Sequence, residues 1–308
     1  MNPRILTVGY ALMDILYRVP LLPEPGNTVT VEDGKPVSLP DGAGLITAIA
    51  LSKLGATSLL SCRLGQDVDG QRLYTALSDA GVDTSAVIAD PRTQTGIRLY
   101  LTDGQTLPRT VYYPGANLNL TRDNLETAFS TRPEALCLHL DANEEILLDA
   151  AARAAEKHLP IFLNLSEVRE IFPYAKLPKL DILCMCDREI EALTGIRPNG
   201  SDAGLKALLA LSKSISSRYY VINMGERGAF LFDGRHFSMA SPFSVKPVDI
   251  AAAREAFFAA LSLEYLRTRG NITAASKYAT LVCALTTSRP GTVSSLPSAD
   301  EIGRYGAK

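Results

Sequence analysis

"ALCLHLDANEEILLDAAARAAEKHLPIFLNL", residues 135–165, holds in one stretch the pattern that decides the fold. "ALCLHL" and "IFLNL" are continuous apolar runs of strand length, without the alternation of a half-exposed strand, so they read as strands buried on both faces. Between them "EILLDAAARAAEKH" has the length and periodicity of a helix. Strand, helix and strand in turn imply a parallel pair joined by a helical crossover.

The same rhythm runs outward in both directions. "ILTVG", "SLLSCR", "DILCMC" and "YYVINM" are further buried-strand runs, and "LITAIALSKLG", "GQRLYTALSDAG" and "AGLKALLALSKS" are further helical ones. The expected architecture is α/β: a doubly wound, mostly parallel sheet flanked by helices. Two segments break the rhythm. Residues 13–41 and 96–114 alternate apolar and polar side chains around Gly and Pro turns, as small antiparallel sheets do. They are expected to form a small β lid over the carboxyl ends of the strands, where open parallel sheets bind ligands. The large domain is then assembled from residues 1–12, 42–95 and 115–308.

The chain has 308 residues, 46% of them hydrophobic, enough to bury a large core. A charged fraction of 21% and a net charge of −2 leave no broad basic field for nucleic acid or an anionic membrane, so a small-molecule partner is expected. No apolar run reaches membrane-spanning length and the N-terminus lacks signal-peptide features, which points to the cytoplasm. The five cysteines (62, 137, 184, 186, 283) lie mostly in apolar runs and read as buried thiols. The three histidines are far apart and read as structural or surface residues rather than metal ligands.

Dinucleotide and Walker-type phosphate loops are absent. After the first strand comes "VGYALMD", with no G-x-G-x-x-G, and no G-x-x-x-x-G-K-[ST] occurs anywhere. Instead, "GYALMDILYRVPLLPEPGNTV", "DGAGLITAIALSKLGA", "RLGQDVDGQRLYTALSDAGVDTS", "YYPGANLNLT", "EIEALTG", "VINMGERGAFLFDG", "VKPVD" and "RPGTVSSLP" follow one another in an order that resembles the ribokinase or PfkB carbohydrate kinases, over almost the whole chain. The resemblance implies a ribokinase-like fold and transfer of a phosphoryl group from ATP, with Mg2+, to a hydroxyl of a sugar or sugar-like substrate.

What the resemblance implies residue by residue is uneven. Asp14, at the entrance to the lid, matches the family aspartate that accepts hydrogen bonds from substrate hydroxyls. The motif G-G-x-x-x-N-x-A falls on Asp41, Gly42, Ala43, Gly44, Leu45, Ile46, Thr47 and Ala48. Ile46 thus stands where a sugar-contacting asparagine is expected, and an unpaired buried hydroxyl costs on the order of 1–3 kcal/mol. Asp41 is the replacement acceptor to consider. The motif N-x-x-E, which helps place Mg2+ and phosphates, falls on Cys186-Asp187-Arg188-Glu189. Glu189 is kept, but a thiol is a poor partner for a hard cation.

The largest departure lies in "VKPVDIAAAREAFFAALSLEYLRTRG", residues 245–270, which begins like a strand end and continues like an amphipathic helix. The family motif D-T-x-G-A-G-D falls on Asp249, Ile250, Ala251, Ala252, Ala253, Arg254 and Glu255. In the family, the glycine amides and the helix N-terminus hold the developing phosphoryl charge, and the last aspartate is the base. Here alanines at 252 and 253 favour winding the helix upstream of Glu255. Glu255 keeps a carboxylate one methylene too long, or is simply an acid in a helix first turn. Arg254 can clamp a phosphate, block the γ-phosphate position, or face solvent.

Asn223, Gly225 and Gly228 match the nucleotide-side turn, although the same glycines suit a strand-end turn into a hairpin. Asn164 and Asp141, at strand ends, match polar active-site positions or serve as caps and turn formers. Two functions follow: a sugar kinase with impaired transfer, or a catalytically inactive pseudokinase acting as sensor or scaffold. The apolar lid strands suggest a homodimer through the lid, as relatives of this kind form.

Overall fold

A computed structural model describes residues 2–31, 36–166 and 172–306. The main sheet has nine strands: β1 (Arg4–Val8), β4 (Thr57–Gly65), β5 (Val87–Asp90), β8 (Ala135–His139), β9 (Ile161–Asn164), β10 (Leu180–Cys186), β11 (Ser217–Asn223), β12 (Ala229–Phe232) and β13 (Phe237–Ala240). Their order is β13-β12-β11-β10-β9-β8-β1-β4-β5, and all pairs are parallel except the β11–β12 and β12–β13 hairpins at one edge. The chain winds outward from β1 in one direction to β5 and then in the other to β11, the doubly wound arrangement expected from the alternating runs.

Period-2 side-chain alternation divides the core between the two faces of the sheet. Ile5, Cys137, Phe162, Ile182 and Val221 face one apolar cluster with helices α1 (Ala43–Lys53), α2 (Val68–Asp79), α7 (Ala253–Arg267) and α8 (Ile272–Thr287). Leu6, Leu136, Leu138, Leu163 and Met185 face the other, with α3 (Arg122–Ser130), α4 (Glu144–Glu156), α5 (Asp187–Thr194) and α6 (Ser201–Leu211). Each buried Leu or Phe contributes about 1.5–3 kcal/mol. Among the described residues, no helix is long and apolar enough to cross a membrane.

The two segments that break the rhythm supply a separate four-stranded sheet, ordered β3-β2-β6-β7: β2 (Leu12–Arg18), β3 (Val37–Asp41), β6 (Gly96–Thr102) and β7 (Arg109–Tyr113). It is mixed rather than antiparallel, because β2 and β6 pair in parallel. Both leave strands of the parallel main sheet, β2 after β1 and β6 after β5, and so run the same way. This pairing sets Asp14 directly opposite Arg98.

Two expectations for residues 245–270 are corrected. "VKPVD" is not a strand but an irregular segment whose Val248 and Asp249 amides donate to the carbonyl of Thr287. Helix α7 is not amphipathic: Phe257, Phe258, Leu261 and Leu263 are fully buried, as are Ala256, Ala259, Ala260 and Ser262 around them. It packs against α1, α8 and the sheet, so little of it meets water.

Candidate functional site

Strand β2, the end of β3 and strand β6 bring three charged side chains together at the junction of the two sheets. Arg98 donates from Nε and Nη2 to the two oxygens of Asp14, each at 3.0 Å, and from Nη2 to Asp41 Oδ1 at 3.2 Å. The guanidinium also lies over the ring of Tyr100, 5.4 Å from its centroid. Burial raises the carboxyl of Asp41, reinforced by the charge of Asp14, to a pKa of about 7. Burial also raises Asp14, against the bond and charge of Arg98. A fork fixed across two half-buried carboxylates is a rigid arrangement of donors and acceptors suited to a polyol.

Gly42 follows at φ +107°, where a Cβ would come within 2.5 Å of the carbonyl oxygen of Tyr10. Only glycine fits there, and the bend lets α1 start beside β1. Ile46, one turn into α1, is 1% exposed and packs in the hydrophobic core. As a substrate contact it has no surface to offer, because an apolar side chain on this buried helix is drawn inward.

A second charged cluster forms where α5 and α7 begin. Helix α7 starts at Ala253 with Ala252 as its N-cap, two residues ahead of Glu255, and no residue from 249 to 255 has a positive φ. The turn is held by Asp249, whose Oδ1 accepts from Ala251 N–H and whose Oδ2 accepts from Gly291 N–H. Glu255 is therefore a buried acid in a regular first turn, 6% exposed. Arg254 is half exposed and reaches toward two acids. Its Nη1 donates to Glu189 Oε1 at 2.8 Å, and its Nη2 lies 3.9 Å from Glu255 Oε1. The charge of Glu255, then that of Glu189, holds Arg254 protonated against the burial that opposes it.

Glu189 caps its own helix, accepting from the Cys186 amide at 2.7 Å through Oε2. Both of its oxygens are thus engaged. Burial raises its pKa, offset by Arg254 and by the Cys186 amide. Among the described residues, no group of three or more His, Cys, Asp or Glu side chains is placed to hold a metal ion. The expectation that Glu189 helps hold Mg2+ therefore does not fit the residues present: the carboxylate is satisfied by a guanidinium and an amide, and its neighbour is a thiol.

Beside this cluster opens a cleft of about 930 Å3, lined by Asn223, Gly225, Ala253 and Arg254 together with Arg188, Phe243 and Ile250. Asn223 Oδ1 accepts from Gly225 N–H at 2.9 Å, and Gly225 and Gly228 both take positive φ in the turn that leads from β11 into the antiparallel β12. Gly228 and Ala252 serve the backbone here and do not line the cleft. Asn164 ends β9 and Asp141 lies in the turn after β8; both are buried and neither lines the cleft. The cap of α4 is Asn143, not Asp141. The two charged clusters are near enough that the charge of Glu255 is felt at Asp41.

Sequence reasoning missed Arg98. An arginine in "GIRLYLT" resembles any solvent-facing strand residue, and its partner Asp14 is 84 positions away. The usable signal was opposite charge on two strands of one small sheet. His139, read as structural, is buried against Phe258 at 5.2 Å, and burial and then Arg254 depress it to a pKa of about 3.

Several known proteins are similar to this chain over nearly its whole length. The chain is 25% identical over 312 residues to a deoxyribokinase of Salmonella typhi, covering 98% of each. It is 26% identical over 305 residues to a bifunctional ribokinase/ribose-5-phosphate isomerase A of Fructilactobacillus sanfranciscensis, covering 97% of this chain but spanning only 55% of that protein. The structure of Arabidopsis thaliana ribokinase complexed with ribose and ATP superimposes with a TM-score of 0.89 at 22% identity, over 99% of this chain and 98% of that one. The sequence model of the pfkB family carbohydrate kinases matches residues 2–299, and the chain belongs to that family.

Proposed function

We propose that this chain is a sugar-kinase-like protein that takes a sugar-like polyol at Asp14, Asp41 and Gly42 and a nucleotide such as ATP in the cleft beside Asn223 and Gly225, with phosphoryl transfer to a hydroxyl impaired. The observation that carries the reading is the Arg254–Glu189 bond at 2.8 Å, which commits the acid expected to serve the phosphates. Asp14 and Asp41 accept substrate hydroxyl protons, and Arg98 fixes both in place. Glu255 is the only carboxylate on the family's base position. Its longer side chain and the adjacent Arg254 displace it, and a misplacement of about 1 Å costs roughly a hundredfold in rate. The glycine amides that would meet the migrating phosphoryl group are replaced by Ala252 and Arg254.

The limiting form of this reading is a pseudokinase that binds ligands as a sensor or scaffold; the start of α7 ahead of Glu255 favours it. A coupled assay for ADP formation over pentoses, deoxy sugars and hexoses tests both. Turnover below about 1 s⁻¹ with every acceptor is expected, and typical enzyme turnover of ~1–10³ s⁻¹ would reject the impairment. Association of two chains through the lid belongs to the same proposal, supported by exposed Val111, Tyr112 and Tyr113 on β7. A monomer by light scattering at micromolar concentration would remove it.

A further inference from the structure

A hard divalent cation seeks several oxygen ligands, and the cluster at α5 and α7 offers it two carboxylates that already face a guanidinium. Glu189 Oε1 accepts from Arg254 and Oε2 from the Cys186 amide. The nearest second acid, Glu255, lies 3.9 Å from the same guanidinium. A metal entering here would have to displace Arg254 from a buried carboxylate while repelled by its charge at close range. The cluster already contains a cation, and it is covalently part of the chain.

That cation is also presented outward. The Arg254 side chain is 48% exposed and lines the cleft, bonded to Glu189 Oε1, in side-chain contact with Cys186, and with Nη2 3.9 Å from Glu255 Oε1. Arg188 lines the same cleft, is exposed, and its side chain makes no ion pair among the described residues. Asp187, which also lines it, is neutralised by Arg227 at 3.3 Å.

We propose that Arg254 takes the place of the divalent cation, so that the cleft binds a phosphate-bearing ligand of the nucleoside di- or triphosphate class without metal. The inference rests on the reading of the cleft as a nucleotide site. Glu189 holds the guanidinium in one orientation before the ligand arrives, which lowers the ordering cost of binding. A guanidinium meets phosphate oxygens bidentately, and Arg188 supplies a second such contact. A guanidinium anchored to a carboxylate does not follow a phosphoryl group as it migrates, so binding is retained where transfer is impaired.

ADP is the probe, titrated by calorimetry and by thermal shift in buffer with Mg2+ and in buffer with EDTA. The expected result is the same ADP affinity in both, within about twofold. Arg254→Gln should weaken ADP in EDTA by about tenfold to a hundredfold, the worth of a hydrogen bond to a charged group. Mg2+ should then restore part of it, because Glu189 is released. Arg254→Lys, which keeps the charge and loses the fork, should fall between. An ADP affinity that drops more than tenfold on adding EDTA to the unmutated protein overturns the inference, and so does an unchanged affinity in Arg254→Gln. If Arg254→Gln does not fold, the comparison of buffers on the unmutated protein decides alone. Absence of ADP binding in both buffers overturns the inference together with the nucleotide half of the functional reading. Metal-dependent binding overturns the inference only, and rapid turnover in the acceptor assay overturns only the impairment.

Discussion

Two places in this molecule set one arginine beside two largely buried acids, and they are built differently. At the sheet junction Arg98 comes from a strand, lies opposite Asp14 in register, and bonds both Asp14 oxygens and Asp41. At the start of α7, Arg254 comes from a helix first turn, is half exposed, and bonds Glu189, with Glu255 3.9 Å away. The first arrangement gathers acids that are expected to bind substrate and locks them. The second puts a positive charge where bare glycine amides belong. Strand pairing gives a fixed, repeated geometry, while a helix start tolerates a long side chain that reaches sideways.

The sharpest break in the comparison is Arg98→Met. It strands two acids that share one cation, and it should cost about 2–4 kcal/mol, somewhat less than for fully buried pairs because the side chains keep some solvent. The shift of the urea midpoint measures this, and an unchanged midpoint would mean that the pairing does not hold the junction. Gly42→Ala comes next, at about 2 kcal/mol or more, since alanine at φ +107° is strained and its Cβ meets the Tyr10 carbonyl.

The cluster at the sheet junction also responds to pH. In the folded chain Asp41 titrates at about 7 against an ordinary 3.8, so between those values the folded state keeps a proton that the unfolded chain has lost. Stability from this group is present in full below about pH 4 and is lost as pH rises through 7. Asp41→Asn should flatten that fall when melting temperature is followed from pH 4 to 8; an undiminished slope would assign the titration elsewhere. The smallest effect is expected at the other cluster. Glu189→Gln leaves the amide cap partly made and loses an ion pair with a half-exposed arginine, about 1 kcal/mol or less in the same urea assay.

Most of the scaffold could be read from the chain, because strands buried on both faces and the helices between them have distinct lengths and periods. The runs at 5–9, 58–63, 135–140, 161–165, 181–186 and 219–224 fall on β1, β4, β8, β9, β10 and β11, with at most one residue beyond a strand's end. Residues 253–267 misled because alanines and polar residues mimic an exposed face, whereas the helix is enclosed by two others and the sheet. The parallel β2–β6 pair was hidden because local alternation carries no information about strand direction. The site was legible only where a position had kept its residue type. Ile46 reads as a lost sugar contact in sequence and as core in space. Arg98 and the Arg254–Glu189 bond depend on partners 84 and 65 positions away, which no local pattern encodes.

A guanidinium that stands in for the metal leaves a divalent cation no site of its own on the protein. Water-proton relaxation with Mn2+ as the probe, titrated into the protein with ADP present, tests it most directly. The account predicts no relaxation enhancement beyond that of Mn2+ and its ADP complex free in solution. A stoichiometric, protein-bound Mn2+ signal that disappears in Glu189→Gln would contradict it.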